Sequence, residues 1–223
     1  MNPWELLDTT TVPGDGDDMR LYRRDQEFSI KAGHHELMNS RVHGSEDALA
    51  ELGCKRISKR PQPRVMIGGL GMGFTLAAAL KALGPEAEVT VAELVPAVIT
   101  WNRGVLGALA GDPLNDARVT VYEGDVGKLI CSKQNHYDAI LLDVDNGPEG
   151  LTRKENDGLY SLGGLDAAKA ALKPSGILGV WSISPDQAFT KKMQRAGFTV
   201  EEIRIRAHNG RGARHMIWFG VRR

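Results

Sequence analysis

The stretch Arg64-Val65-Met66-Ile67-Gly68-Gly69-Leu70-Gly71-Met72-Gly73 constrains this chain more than any other. A short apolar run stops at alternating glycines, and the helix-forming run Phe74-Thr75-Leu76-Ala77-Ala78-Ala79-Leu80 follows. Strand, tight turn and helix in that order expose backbone at the start of a helix. Glycines let that backbone approach a ligand closely, and the first N–H groups of the helix point at it. Glu93 ends the next apolar run about 20 residues on, where a carboxylate holds ribose hydroxyls in dinucleotide folds. A nucleoside-bearing ligand is the reading that follows. The plainer reading has Gly69, Gly71 and Gly73 serving helix–strand packing and Glu93 lying in a solvated turn.

From Arg64 onward the chain alternates. Strands are predicted at 64–68, 88–93, 118–122, 137–143 and 175–181, and helices at 73–83, 96–107, 161–172 and 185–195. Pro96 and Pro185 fit first-turn positions, the second after a capping Ser184. Such alternation implies a doubly wound, mostly parallel sheet with helices on both faces. The end differs: 198–206 and 214–221 read as an antiparallel hairpin turning at Asn209-Gly210. Upstream, residues 1–18 read as an irregular leader and 19–60 as a small antiparallel β unit, a helix over 46–52 capped by Ser45, and a basic, proline-bearing linker. Residues 61–223 form the main α/β domain.

Ligands of such sheets bind beyond the carboxyl ends of the strands. Acids stand there in series: Glu93 before Leu94, Asp125 before Val126, and Asp143 followed by Val144-Asp145-Asn146. Asp125 has two compatible roles, capping a short helix over 126–130 and binding an amino group of the ligand. Asp143 would sit at a cleft mouth. The long polar segment 144–160 reads as a substrate-contacting loop, with Tyr160 either facing substrate or packing at a helix start.

Charge narrows the partners. Lys plus Arg number 28 against 28 Asp plus Glu, a net charge of zero, which argues against nucleic acid as the main partner. Arg204 and Arg206 fall on the strand face opposite Ile203 and Ile205 and read as a solvated hairpin face. Cys54 and Cys131 form no ligand pattern, and His34, His35 and His43 have no acid or cysteine at ligand spacing, so no metal is expected. With no membrane-length apolar run and no signal segment, the expectation is a soluble cytoplasmic protein.

On these residues the chain resembles the spermidine synthase family, which shares the class I methyltransferase fold. The resemblance runs from about Glu36 to Gly220. It rests on Gly68-Gly69-Leu70-Gly71-Met72-Gly73, Val91-Ala92-Glu93-Leu94, Glu123-Gly124-Asp125, Asp143-Val144-Asp145-Asn146-Gly147, Leu159-Tyr160-Ser161 and Ala171-Leu172-Lys173-Pro174-Ser175-Gly176. It implies an S-adenosylmethionine-type ligand, whole or decarboxylated. Gly68, Gly69, Gly71, Gly73, Glu93, Leu94, Asp125 and Val126 would bind the cofactor, Asp143 would be catalytic, and Asp145, Asn146 and Tyr160 would contact the acceptor. It departs at position 71, where the family places an aspartate that holds the amine of the aminopropyl group. Its glutamine and tyrosine fall near Met38 and Ser45, and its second strand-end aspartate falls on Asn146.

An aspartate at position 71 would attract an amine and repel the carboxylate of intact S-adenosylmethionine. Glycine removes that repulsion and leaves turn N–H groups free for a carboxylate. The leading expectation is therefore methyl transfer to a small-molecule nucleophile. Aminopropyl transfer from decarboxylated S-adenosylmethionine to a polyamine is the alternative, and a nucleoside-binding module without turnover is a third reading. The edges of the N-terminal β unit allow a homodimer.

Overall fold

The computed structural model describes residues 2–14, 18–144, 156–208 and 211–223. The chain opens with four strands, β1 (Glu5–Thr11), β2 (Asp18–Arg24), β3 (Glu27–Ala32) and β4 (His35–Asn39), paired in order as an antiparallel meander. Helix α1 (Gly44–Arg56) then leads into the main unit. There follow β5 (Arg64–Gly68), α2 (Phe74–Ala82), β6 (Glu88–Glu93), α3 (Pro96–Arg103), β7 (Val119–Glu123), α4 (Val126–Cys131) and β8 (Tyr137–Leu142). Two short helices, α5 (Asn156–Leu159) and α6 (Leu162–Ala171), precede β9 (Leu172–Ser182), α7 (Gln187–Arg195), β10 (Phe198–His208) and β11 (Arg211–Arg222).

The second sheet has seven strands in the order β10-β11-β9-β8-β5-β6-β7. Strands β9, β8, β5, β6 and β7 run parallel, and β11 pairs antiparallel with both β9 and β10. From β5 the chain winds outward through β6 to β7, then returns to lay β8 on the other side of β5. The strand order therefore reverses between β5 and β8, and a crevice opens there at their carboxyl ends. Strand β8 is buried along its whole length, as a central parallel strand covered on both faces should be. The doubly wound sheet, the terminal hairpin and the small N-terminal β unit are thus all present.

Three local expectations are corrected. The segment taken as an irregular leader contains β1, whose polar sequence ELLDTTT is mostly exposed because the strand forms a sheet edge. It carried no apolar alternation to read. Asp8 of β1 ties this sheet to α3 by accepting a 2.7 Å bond from the Trp101 indole. The first helix is not capped by Ser45: it begins two residues earlier than expected, at Gly44, with His43 in the cap position. Helix α7 starts at Gln187 rather than at Pro185, because the Asp186 carboxylate accepts from the N–H groups of Ala188 and Phe189. The turn at Asn209-Gly210 lies outside the described residues.

Helix α1 is what brings the N-terminal unit to the crevice. Its buried face is Glu46, Leu49, Ala50, Gly53 and Cys54, at the i, i+3, i+4, i+7 spacing of one helical stripe. Gly53 lets the helix press onto the sheet, since a Cβ there would lie 2.7 Å from the Leu141 side chain. The first turn of α1 is thereby held at the crevice mouth.

Candidate active site

Beyond the ends of β5 and β8, one cavity is bounded by Gly69 and Gly71, by Glu93, Asp125 and Asp143, and by Glu46. Val12, Met19, Ile30 and Met38 of the N-terminal unit and Trp181 of β9 supply its apolar wall. Leu94, Val126 and Val144 line it as well. Seven of the residues read from the sequence as ligand contacts therefore converge on one space: Gly69, Gly71, Glu93, Leu94, Asp125, Val126 and Asp143.

The glycine turn is built by its own hydrogen bonds. Gly69 (φ +88°) and Gly71 (φ +52°) adopt left-handed backbone that favours glycine. A Cβ on Gly69 would lie 2.2 Å from the Asp143 carbonyl, so that close crossing of the β5 and β8 ends requires glycine. Glu93, 9% exposed, reaches under the turn: its carboxylate accepts from Leu70 N–H at 3.0 Å and Val95 N–H at 2.8 Å. Burial raises the Glu93 pKa, and bonds from the backbone of Val95, Leu70, Leu94 and Gly71 oppose that rise. Gly69 N–H donates to Ala92 O, Gly73 N–H to Leu70 O, and Met72 N–H to Met38 Sδ at 3.2 Å. The expectation of free turn N–H groups is cut back: those of Gly69, Leu70, Met72 and Gly73 are engaged within the fold.

Met38 also explains what stands at position 71. Its Sδ and Cε lie 2.9 and 3.0 Å from where a Cβ on Gly71 would be. A methionine from β4 occupies the space a side chain at 71 would enter.

Asp125 is the N-cap of α4, accepting from Lys128 N–H at 2.8 Å while it lines the cavity, so its two readings coexist. Asp143 accepts a 2.5 Å bond from the Thr75 hydroxyl of α2. Burial pushes its pKa upward and the Thr75 bond pulls it back. Glu46, 7% exposed, is also raised, first by burial and then by repulsion from Asp143. No lysine, arginine or histidine is among the described residues lining the cavity. The Trp181 indole N–H is buried and has no hydrogen-bond partner among the described residues.

The remaining expected positions fall elsewhere. Gly68 is inside β5, where a Cβ would meet Val126 and Leu142 side chains, and Gly73 caps α2 against Asn102 and Pro113. Both serve packing. Tyr160 does not line the cavity: it is 2% exposed, edge-on to Phe189 at 5.7 Å, and its hydroxyl donates to Val144 O at 3.4 Å. Asp145 and Asn146 lie outside the described residues. Glu46 and Thr75 were not read as site residues. The signal for Glu46 was present, an acid on the apolar stripe of α1. Thr75 gave none, since it looks like any first-turn helix residue.

A switch-point crevice with a glycine turn, a carboxylate beneath it and acids on the neighbouring strand ends is the ligand site of a class I methyltransferase-like fold. Within that class the chain belongs to the spermine/spermidine synthase family: the model of the Spermine/spermidine synthase domain matches residues 47–195, more than half of the chain. The family's members are transferases. Solved structures agree on the fold. A spermidine synthase in complex with the transition state analogue AdoDATO superposes with TM-score 0.77 at 16% identity, covering 98% of this chain and 72% of that one. The spermidine synthase from Thermotoga maritima gives 0.78 at 16%, covering 98% and 73%. A probable spermidine synthase from Corynebacterium glutamicum ATCC 13032 gives 0.66 at 13%, covering 99% and 81%. No curated protein matches the chain.

Proposed function

We propose that this protein transfers an aminopropyl group from decarboxylated S-adenosylmethionine to an aliphatic amine. The observation that carries the reading is the charge of the cavity: its ionisable lining is wholly acidic among the described residues, Glu46, Glu93, Asp125 and Asp143. Intact S-adenosylmethionine brings a carboxylate, and the cavity lining offers it no cation among the described residues, while the turn N–H groups of Gly69, Leu70, Met72 and Gly73 are engaged within the fold. The decarboxylated form brings only cationic groups. Family membership favours the same reaction, so methyl transfer, the leading sequence expectation, gives way to its alternative.

The residues present fit such a co-substrate. Gly69 and Gly71 give close backbone approach, Glu93 lies where ribose hydroxyls bind, and Asp125 offers an acceptor to an exocyclic amine. When bound, the co-substrate supplies a carbon activated by positively charged sulfur. The protein's part is to align the acceptor nitrogen with that carbon and exclude water. The apolar wall of Val12, Met19, Ile30 and Met38 does the second. Asp143, fixed by Thr75, does the first, holding the amine and receiving its proton. The upward shift of its pKa suits a base working near neutrality.

The test compares thermal shifts with S-adenosylmethionine, its decarboxylated form, 5′-methylthioadenosine and S-adenosylhomocysteine. The decarboxylated form and methylthioadenosine should stabilise the protein most. Preference for the two carboxylate-bearing ligands would return methyl transfer to the lead. Asp143→Asn should cut turnover at least about a hundredfold while methylthioadenosine affinity stays within about twofold; unchanged turnover would remove Asp143 from the chemistry.

A further inference from the structure

We propose that Glu46 of α1 is a second amine-holding residue of this cavity, forming with Asp143 a two-carboxylate seat for a primary alkylammonium ion. The inference rests on the amine-transfer reading above and adds to it a residue from outside the Rossmann-like strand ends. Glu46 stands one residue before the segment matched by the family model.

The position of Glu46 is hard to explain otherwise. It lies on the buried stripe of α1 with Leu49, Ala50, Gly53 and Cys54, where an apolar side chain would pack without cost. A carboxylate withdrawn from water needs a counter-ion or several donors. Here the Ser45 hydroxyl donates at 2.5 Å, and no lysine or arginine pairs with Glu46 among the described residues. The charged groups around it are few. Asp143 faces it from the end of β8 and repels it; His43, ahead of α1, favours its ionised form, but the His43 ring is held by Asp47 at 2.8 Å. Glu93 of β6 lines the same cavity. Glu46 and Asp143, with Glu93 and Asp125, thus share a space lined by no lysine, arginine or histidine among the described residues, against a wall that includes Met38, Ile30 and Trp181.

The arrangement also answers the vacancy at position 71. With glycine there and Met38 filling the space, the turn supplies no carboxylate to an amine. Glu46 supplies one from α1, lining the same cavity as Asp143. Like charges so placed do not both ionise readily in the empty cavity, so one keeps a proton. An entering alkylammonium ion neutralises the repulsion. Glu46 then passes from carboxylic acid to carboxylate, its proton goes to solvent, and the ammonium keeps all three of its own. Binding is therefore coupled to proton release near neutral pH.

Calorimetric titration of the full chain with 1,4-diaminobutane, in the presence of 5′-methylthioadenosine, tests this near neutral pH. Two buffers of very different ionisation enthalpy, phosphate and Tris, report proton release. We expect heats that differ between the buffers in the sense of proton release, by a substantial fraction of a proton per diamine. Glu46→Gln should weaken the diamine roughly tenfold or more and abolish the buffer dependence, with methylthioadenosine affinity unchanged. Diamine binding with buffer-independent heat in the wild-type chain overturns the role of Glu46 and leaves the functional reading standing. So does wild-type affinity in Glu46→Gln. No diamine binding by a wild-type chain that binds methylthioadenosine overturns the functional reading and this inference with it. The wild-type buffer comparison needs no variant, so a Glu46→Gln chain that fails to fold does not remove the test.

Discussion

Glu93→Ala should cost about 3 kcal/mol of stability and most of the nucleoside affinity together. The Glu93 carboxylate accepts from Leu70 N–H at 3.0 Å and Val95 N–H at 2.8 Å, tying the turn after β5 to the segment after β6. Hydrogen bonds to a charged group contribute about 1.5–3 kcal/mol each, giving a gross loss of about 3–6 kcal/mol. Burial opposes the carboxylate, and relief of that penalty places the net near the lower figure. For a domain of ordinary stability, about 5–15 kcal/mol, this is a large fraction. Glu93→Gln keeps one carbonyl oxygen but aims an amide NH2 at the second N–H, so about 1–3 kcal/mol should be lost. Urea unfolding followed by tryptophan fluorescence measures the stability, and calorimetry with 5′-methylthioadenosine measures the affinity. A Glu93→Ala chain within about 0.5 kcal/mol of wild type would refute the claim that this carboxylate builds the turn. Lost stability with intact nucleoside affinity would refute the claim that the turn and the ligand site are one structure.

Two further outcomes follow from the same cavity. Glu46 and Asp143 hold protons in the folded state at pH values where the unfolded chain has released them, because burial raises both and Asp143 further raises Glu46. Their contribution is fully present below the ordinary carboxylate pKa, about 4, and is lost as pH rises through the raised folded values. The melting temperature of the ligand-free chain should therefore fall from mildly acidic to mildly alkaline pH, and Glu46→Gln should flatten the fall; equal slopes would show that Glu46 is not perturbed. Gly71→Asp should cost about 1–3 kcal/mol, from left-handed backbone at φ +52° and displacement of Met38 Sδ at 2.9 Å, and Met38→Ala should recover about 1 kcal/mol of it. A Gly71→Asp penalty of the same size in both backgrounds in urea unfolding would show that Met38 does not hold that space.

Much of the fold was legible because its signals are local. The run Arg64–Gly68 with its glycines, and the apolar runs ending at Glu93 and Leu142, announce strands through short-range hydrophobicity, and Pro96 marks a helix start by fixing its own backbone. Weak local signals hide two features. Strand β1 is polar because it is a solvated edge, and Asp186 displaced Pro185 as the start of α7 because its carboxylate reaches two N–H groups. Tyr160 illustrates the limit for single residues: an aromatic after a polar loop suits a substrate wall or a core equally, and in the fold its ring packs edge-on to Phe189.

The sequence by itself determined where a site can lie: a glycine turn after the first parallel strand, with acids at the next three strand ends, marks a crevice at the carboxyl ends of the strands. It did not determine the site's charge logic. Gly71 in sequence suggested free N–H donors for a carboxylate, and the folded turn engages those donors with Glu93, Met38 and neighbouring carbonyls. Met38 and Glu46 reach the cavity only because the N-terminal sheet and α1 fold over strands that come much later in the chain. Hydrogen-bond saturation and loss of water are properties of what surrounds a group in space. Periodicity and spacing record neither, so the glycine turn was readable from the sequence and its occupancy was decided by tertiary structure.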